Sequence, residues 1–204
     1  MKRFYLLLLS VLICSAAAVS FSGCATTQPS RFYTLQSLPD EAAGEGAAGA
    51  QDDIGVGIDT ITLPALLDRP QIVLSTGDNE LTFAEFDRWA EPLDENIYRV
   101  VTENISILLN TGHVYTYPWK SSAKIEYRVA IDVIRFDVTA DGDTSLVARW
   151  TVYGGEEWET LLKKKSRFTN SADSTDFHSL VSALNKTLED FSREVAEAIQ
   201  SLSR

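Results

Sequence analysis

Apolar and polar residues alternate through Ile125, Tyr127, Val129, Ile131 and Val133, then resume at Ile134, Phe136 and Val138 one residue out of phase. Alternation at period two turns one face of a strand toward a core. The slip in phase predicts a β-bulge near Val133. Asp141-Gly142 turns the chain into a strand carrying Leu146, Ala148, Trp150 and Val152, and Gly154-Gly155 turns it into a last strand ending near Phe168. Upstream, RFYTL (31–35) reads as a short first strand and 54–63 as a second, ended by Pro64. Residues 71–75 and 80–85 flank Thr76-Gly77-Asp78-Asn79, a hairpin signal. Between the first two strands, 36–53 is rich in Ala, Gly and acids, lacks apolar periodicity and reads as a flexible loop.

Two stretches follow the helical period instead. Leu93, Ile97, Val100, Val101, Ile105, Leu108 and Leu109 form one stripe, which predicts a helix over about 92–110. Pro92 suits a first-turn position, Asp94 and Glu95 suit the positive end, and Gly112 suits the stop. Near the C-terminus, Phe177, Val181, Leu184, Leu188, Phe191, Val195, Ala198 and Leu202 recur at spacings of four and three, in a helix opening near Asp173 or Ser174. A heptad of this kind serves a coiled-coil seam, but Leu180 and Ile199 widen the stripe as packing on a sheet requires. The expected fold is α/β: a mixed β-sheet of about five to seven strands with two long helices packed on one face.

The first residues have the build of an export signal. Lys2 and Arg3 precede an apolar run, 4–18, too short and too small-flanked for a spanning helix. Phe21-Ser22-Gly23-Cys24 then forms a lipobox, with Phe21 in place of the usual Leu. It predicts a signal peptide over 1–23, cleavage after Gly23 and acylation, as with palmitate, at Cys24. A lipidated tether covers 24–30 and a single domain covers 31–204. Six residues between Cys24 and Arg31 span roughly 20 Å at full extension, so the domain stays near its membrane. Two or three acyl chains hold firmly, at about 0.8 kcal/mol per buried methylene. Ala25, where an Asp would mark inner-membrane retention in enterobacteria, favours the outer membrane.

Composition narrows the function classes. The chain has two cysteines; Cys14 leaves with the signal and Cys24 is acylated, so no thiol chemistry remains. With 18 basic and 29 acidic residues the net charge is −11, which argues against nucleic acid as a partner. The two histidines, His113 and His178, have no ligand partner at metal spacing, so neither a metal nor another cofactor is expected. Ser174, Asp176 and His178 are near neighbours, but adjacency on a helix does not make a triad; cap and surface roles are expected. No enzyme activity is expected.

The chain resembles the ABC-type transport auxiliary lipoproteins, the PqiC/YmbA group. The resemblance rests on the lipobox, RFYTL (31–35), IGVGIDTITLPALLDRPQIV (54–73), FDRWAEPLDENIYRVVTENI (86–105), VYTYPW (114–119) and the closing helix. It implies a sandwich like the amino-terminal domain of TolB. It also implies a non-enzymatic role beside an MCE-type or ABC system that moves lipids between membranes, with MCE-domain or ABC transporter subunits as partners; homo-oligomerisation is left open. The other reading is a stand-alone periplasmic module that binds an apolar ligand or an envelope partner.

Two surfaces are candidates for contact. Trp89, Pro92, Leu93, Tyr117, Pro118 and Trp119 bracket the first helix, and Arg69, Pro70 and Arg88 join them from the family's motif runs. Such aromatics serve either a core or an interface. Lys163, Lys164, Lys165 and Arg167 form the basic cluster. They suit an edge strand guarded against pairing, or contact with anionic headgroups or an acidic partner.

Overall fold

The alternating and helical segments become ten elements in the computed structural model, which describes residues 28–40, 54–77 and 79–203. They are β1 (Arg31–Tyr33), β2 (Val56–Thr62), β3 (Gln71–Ser75), β4 (Leu81–Trp89), α1 (Leu93–Leu109), β5 (Val114–Thr116), β6 (Tyr127–Thr139), β7 (Asp143–Gly154), β8 (Glu159–Ser171) and α2 (Phe177–Leu202). The signal region, Cys24 and Ala25 lie outside the described residues, as do 41–53 of the expected loop.

All eight strands join one mixed sheet. β6 is antiparallel to β7 along one edge, while along the other it pairs in parallel first with β2 and then, at Val138 and Thr139, with β3. β8 lies beyond β7, β5 beyond β2, and β4 then β1 beyond β3. The strand that the sequence did not announce is β5, whose three residues are too few to show a period. The expected bulge is present: the β6–β7 register shifts between Val133 and Arg135. It keeps Val129, Ile131 and Val133 before the slip, and Phe136 and Val138 after it, in the core.

Both helices lie on one face of the sheet and pack on each other. Trp150 and Phe191, each 1% exposed, meet edge to face at 6.4 Å between centroids, and Phe168 meets Phe191 at 6.2 Å. Such tilted aromatic pairs place ring edges against the electron-rich faces. The Trp150 indole N–H donates to Ser166 Oγ at 3.0 Å, so its one polar atom is satisfied inside the core. The broad apolar stripe of α2 thus covers the sheet rather than forming a seam with another chain's helix.

The ends of α1 fall within a residue of the expected 92–110, and α2 starts three or four residues later than expected. Pro92 is the cap of α1 rather than its first turn; its carbonyl accepts from Asn96 N–H at 3.0 Å. The helix stops at Leu109 because Asn110 takes the left-handed conformation (φ 50°, ψ 48°), two residues before Gly112. Asparagine tolerates that region, and the turn lets the Asn110 and Thr111 amides cap the Ile107 and Ser106 carbonyls. α2 starts at Phe177, after Asp176, whose carboxylate accepts from the His178 and Ser179 amides.

The segment after β1 is held, not free. Asn96 Oδ1 accepts from Leu35 N–H at 3.1 Å, Asn104 Oδ1 from Leu38 N–H at 2.8 Å and Asn185 Oδ1 from Gln36 N–H at 3.1 Å. Leu35, which makes the first of these bonds, is 0% exposed. The flexible-loop reading therefore fails for 36–38. A stretch without apolar periodicity can be fixed by side-chain acceptors that come from distant helices.

Two measurements check this account. Phe191→Ala should remove about 3–5 kcal/mol of stability, read from urea unfolding of the purified chain. Asp176 is held down to about 2, first by the Ser174 hydroxyl and then by the Ser179 and His178 groups it accepts from. Its folded pKa lies below its ordinary 3.8, so its stabilisation is present above that value and fades as pH falls toward about 2. Asp176→Ala should therefore lower the thermal midpoint at pH 7, and its gap from the native chain should close between pH 3.8 and about 2.

Candidate interaction surface

Three separated sequence runs meet at the β1–β4–β3 wing of the sheet. β1 pairs in parallel with the end of β4, Arg31 opposite Asp87, Phe32 opposite Arg88 and Tyr33 opposite Trp89. Gln71 of β3 lies opposite Arg88 on the other side. The Trp89 N–H donates to the Pro70 carbonyl at 2.7 Å, and Ala90 N–H to the Tyr33 carbonyl at 2.8 Å. RFYTL, LPALLDRP and RWAEP thus form one backbone-bonded unit.

On the helix side of this wing, Asp87 is the organising charge. It is 5% exposed and accepts from the Tyr33 hydroxyl at 2.8 Å. Arg31 grips the same carboxylate through Nε at 2.7 Å and Nη2 at 3.0 Å, the two-pronged geometry that suits guanidinium to carboxylate. Burial, and then the bond to Asp87, raise the Tyr33 hydroxyl above its ordinary range. Phe177 at the start of α2 closes the cluster, 6.1 Å from the Tyr33 ring and 5.9 Å from the Arg31 guanidinium.

The opposite side of the same wing is apolar and open. Phe32 is 65% exposed, and Leu66, Leu81 and Phe83 are each about 40% exposed. Strand alternation explains this: Ala84 and Tyr33 turn inward, so Phe83 and Phe32 turn outward. The Arg69 guanidinium stacks over the Phe83 ring at 3.8 Å, while its Nε donates to the Leu66 carbonyl at 2.7 Å. Arg88 is partly exposed beside Phe32, with Glu85 3.7 Å from its guanidinium.

Of the residues anticipated for contact, Arg69, Pro70 and Arg88 are on this wing. Pro92 is exposed at the α1 cap. Trp89 and Leu93 are each 5% exposed and belong to the core, so neither contributes surface. Tyr117, Pro118 and Trp119 lie elsewhere, after β5, where the Tyr117–Pro118 peptide is cis. Tyr117 is half exposed, and its ring meets Trp119 edge-on at 5.3 Å. Trp119 rests near Gly57, where a Cβ would come within 3.2 Å of its ring, and Arg128 stacks 5.6 Å from it while bonding Asp59. The expected single surface is therefore two surfaces.

The basic cluster divides as well, because alternate residues of a strand face opposite sides. Lys164 lies opposite Trp150 on the helix side and pairs with Glu194 of α2. Lys163, Lys165 and Arg167 lie opposite Thr151, Arg149 and Val147 on the helix-free side. There Asp132 accepts from Thr62 at 2.9 Å and from Arg149 at 2.8 Å; the Thr62 bond first, then Arg149, holds its carboxyl below the ordinary range.

Among the described residues no group of three or more His, Cys, Asp or Glu is placed to hold a metal ion, and no helix is long and apolar enough to cross a membrane. The Ser174, Asp176 and His178 neighbours form the α2 cap: Ser174 bonds Asp176, and His178 contributes its backbone amide. Side-chain layers between sheet and helices are occupied by Leu146, Trp150, Leu184, Leu188, Phe191 and Ile199, all at most 1% exposed.

Residues 33–196 match the model of the family described as ABC-type transport auxiliary lipoprotein component. The chain belongs to that family. It is 23% identical over 189 residues to the intermembrane transport lipoprotein PqiC of Escherichia coli K12, covering 92% of this chain and 95% of that protein, with the same figures for PqiC of Shigella flexneri. In fold it is similar to a crystal structure of an uncharacterized protein, at TM-score 0.69 and 16% identity, over 84% of this chain and 99% of that one. A Xanthomonas campestris protein gives TM-score 0.66 at 16% identity, over 81% and 92%. Family membership makes the chain an envelope-associated lipoprotein component of a transport system. The wing built from the three family motifs lies within the matched region, apart from Arg31 and Phe32 at its margin.

Replacing Asp87 with Ala should free β1 from β4. Amide exchange at 31–33 and at Ala90 should quicken, while the β6–β7 ladder keeps its protection; equal exchange in both variants would show that Asp87 does not hold the strand.

Proposed function

We propose that this chain is a non-enzymatic accessory component of an MCE-type or ABC intermembrane lipid transport system, anchored by acylated Cys24 to the outer membrane and facing the periplasm. The observation that carries the reading is the family match over 33–196, together with the near-complete mutual coverage with PqiC, an intermembrane transport lipoprotein. The lipobox ending at Cys24, the short tether and Ala25 support the anchor and its membrane. The chain's own contribution is then binding and placement. The β1–β4–β3 wing is the contact region nearest the tether, and Tyr117, Pro118 and Trp119 offer a second, distant contact for a transporter subunit.

Crosslinking in native envelopes tests the proposal. The lipidated chain should capture an MCE-domain or ABC transporter subunit and should fractionate with the outer membrane. Cys24→Ala should lose both acylation and that fractionation. Capture of no transporter subunit under conditions that trap known envelope complexes would overturn the assignment.

A further inference from the structure

We infer that the helix-free face of the β1–β4–β3 wing docks on the bilayer that holds the anchor, with Phe32, Leu66, Leu81 and Phe83 as the apolar contact and Arg69 and Arg88 at the headgroups. The inference rests on the acylation proposed for Cys24, and it deepens that reading by giving the domain an orientation.

Three observations converge on this occupant. First, position: residues 28–30 are exposed and lead directly into β1, and the seven steps from Cys24 to Arg31 span at most roughly 25 Å. The apolar side chains of β1 and β4 are therefore within reach of the membrane in which the acyl chains sit. Second, chemistry: four of the six large hydrophobic residues exposed among the described residues are Phe32, Leu66, Leu81 and Phe83, all of this wing and the loop before β3. Aromatic and aliphatic side chains rimmed by arginine are the composition that settles at the boundary of acyl chains and headgroups. Arg69 already has its stem along apolar surface and its head over Phe83, the arrangement in which a long cation reaches outward from an apolar contact.

Third, charge: the whole chain carries −11, yet the same face of the sheet presents Lys163, Lys165 and Arg167 at its far edge. On that face Asp59, Asp132 and Asp137 are engaged by Arg128, Arg149 and Arg135, Glu85 sits beside Arg88, and Asp143 accepts from the Ser171 hydroxyl. Docking by this face turns the free cations toward anionic headgroups, which attract basic residues near the surface, and turns the acidic helices away. A three-residue β1 offers little edge for pairing with another strand, whereas side chains that project from its face suit a fluid surface.

The test uses the lipidated full chain reconstituted in vesicles of phosphatidylethanolamine and phosphatidylglycerol. The acylated protein has no free thiol, so Leu66→Cys, Leu81→Cys and, on the exposed side of α2, Ser182→Cys each accept a single environment-sensitive fluorophore. Docking predicts blue-shifted emission at 66 and 81, with several-fold stronger quenching by brominated acyl chains than at 182, and unfolding midpoints equal to that of the unlabelled chain. Equally aqueous probes at all three positions, with an acylated N-terminal peptide confirmed by mass, would overturn the docking and leave the proposed function intact. An N-terminal peptide without acyl chains would overturn the anchor, and the docking with it.

Discussion

β6 hydrogen-bonds to three strands at once, β7 along one edge and β2 then β3 along the other. A straight strand of thirteen residues could not do so and keep one face apolar throughout, given the sequence it carries. The slip at Val133–Arg135 solves both problems. The extra residue reverses the side-chain parity, so Val129, Ile131 and Val133 on one side of it and Phe136 and Val138 on the other all meet the helices. The slip also lies between the stretch of β6 that pairs with β2, ending at Asp132, and the stretch that pairs with β3, starting at Val138. Everything that β3 carries, including β4 and β1, takes its position from this break.

The helix layer locks that arrangement from the other side. Phe191 bridges Trp150 of β7 and Phe168 of β8, and asparagines of α1 and α2 accept the amides of Leu35, Gln36 and Leu38. The chain is thus tied to the helices within a few residues of leaving β1.

Division of labour between the faces follows from strand geometry. The helix-facing side holds the aromatic core and the Asp87 cluster; the helix-free side holds paired arginine–aspartate ladders at its centre, an apolar wing near the N-terminus and lysines at the far edge. Runs that look like single features in sequence are therefore split. Lys164 pairs with a helix while its two neighbours face solvent, and Trp89 fills the core while adjacent Arg88 does not.

Local pattern by itself determined most elements of this protein: the bulge in β6, the β3–β4 hairpin, the two long helices and their apolar stripes, and the acidic balance. These are legible because period, turn chemistry and charge are properties of neighbouring residues. The ends of α1 lie within about a residue of the expected 92–110, whereas α2 starts three residues beyond Ser174, since several residues there could cap and only backbone conformation selects Asp176. The parallel partners of β6, the strand β5, the anchoring of 36–38 and the exposed wing were decided by tertiary structure alone. Parallel pairing and long-range asparagine bonds join residues some 60 to 150 positions apart. Alternation sets Phe83 opposite buried Ala84, but which of the two faces the helices follows from the pairing of β4 with β3 and β1.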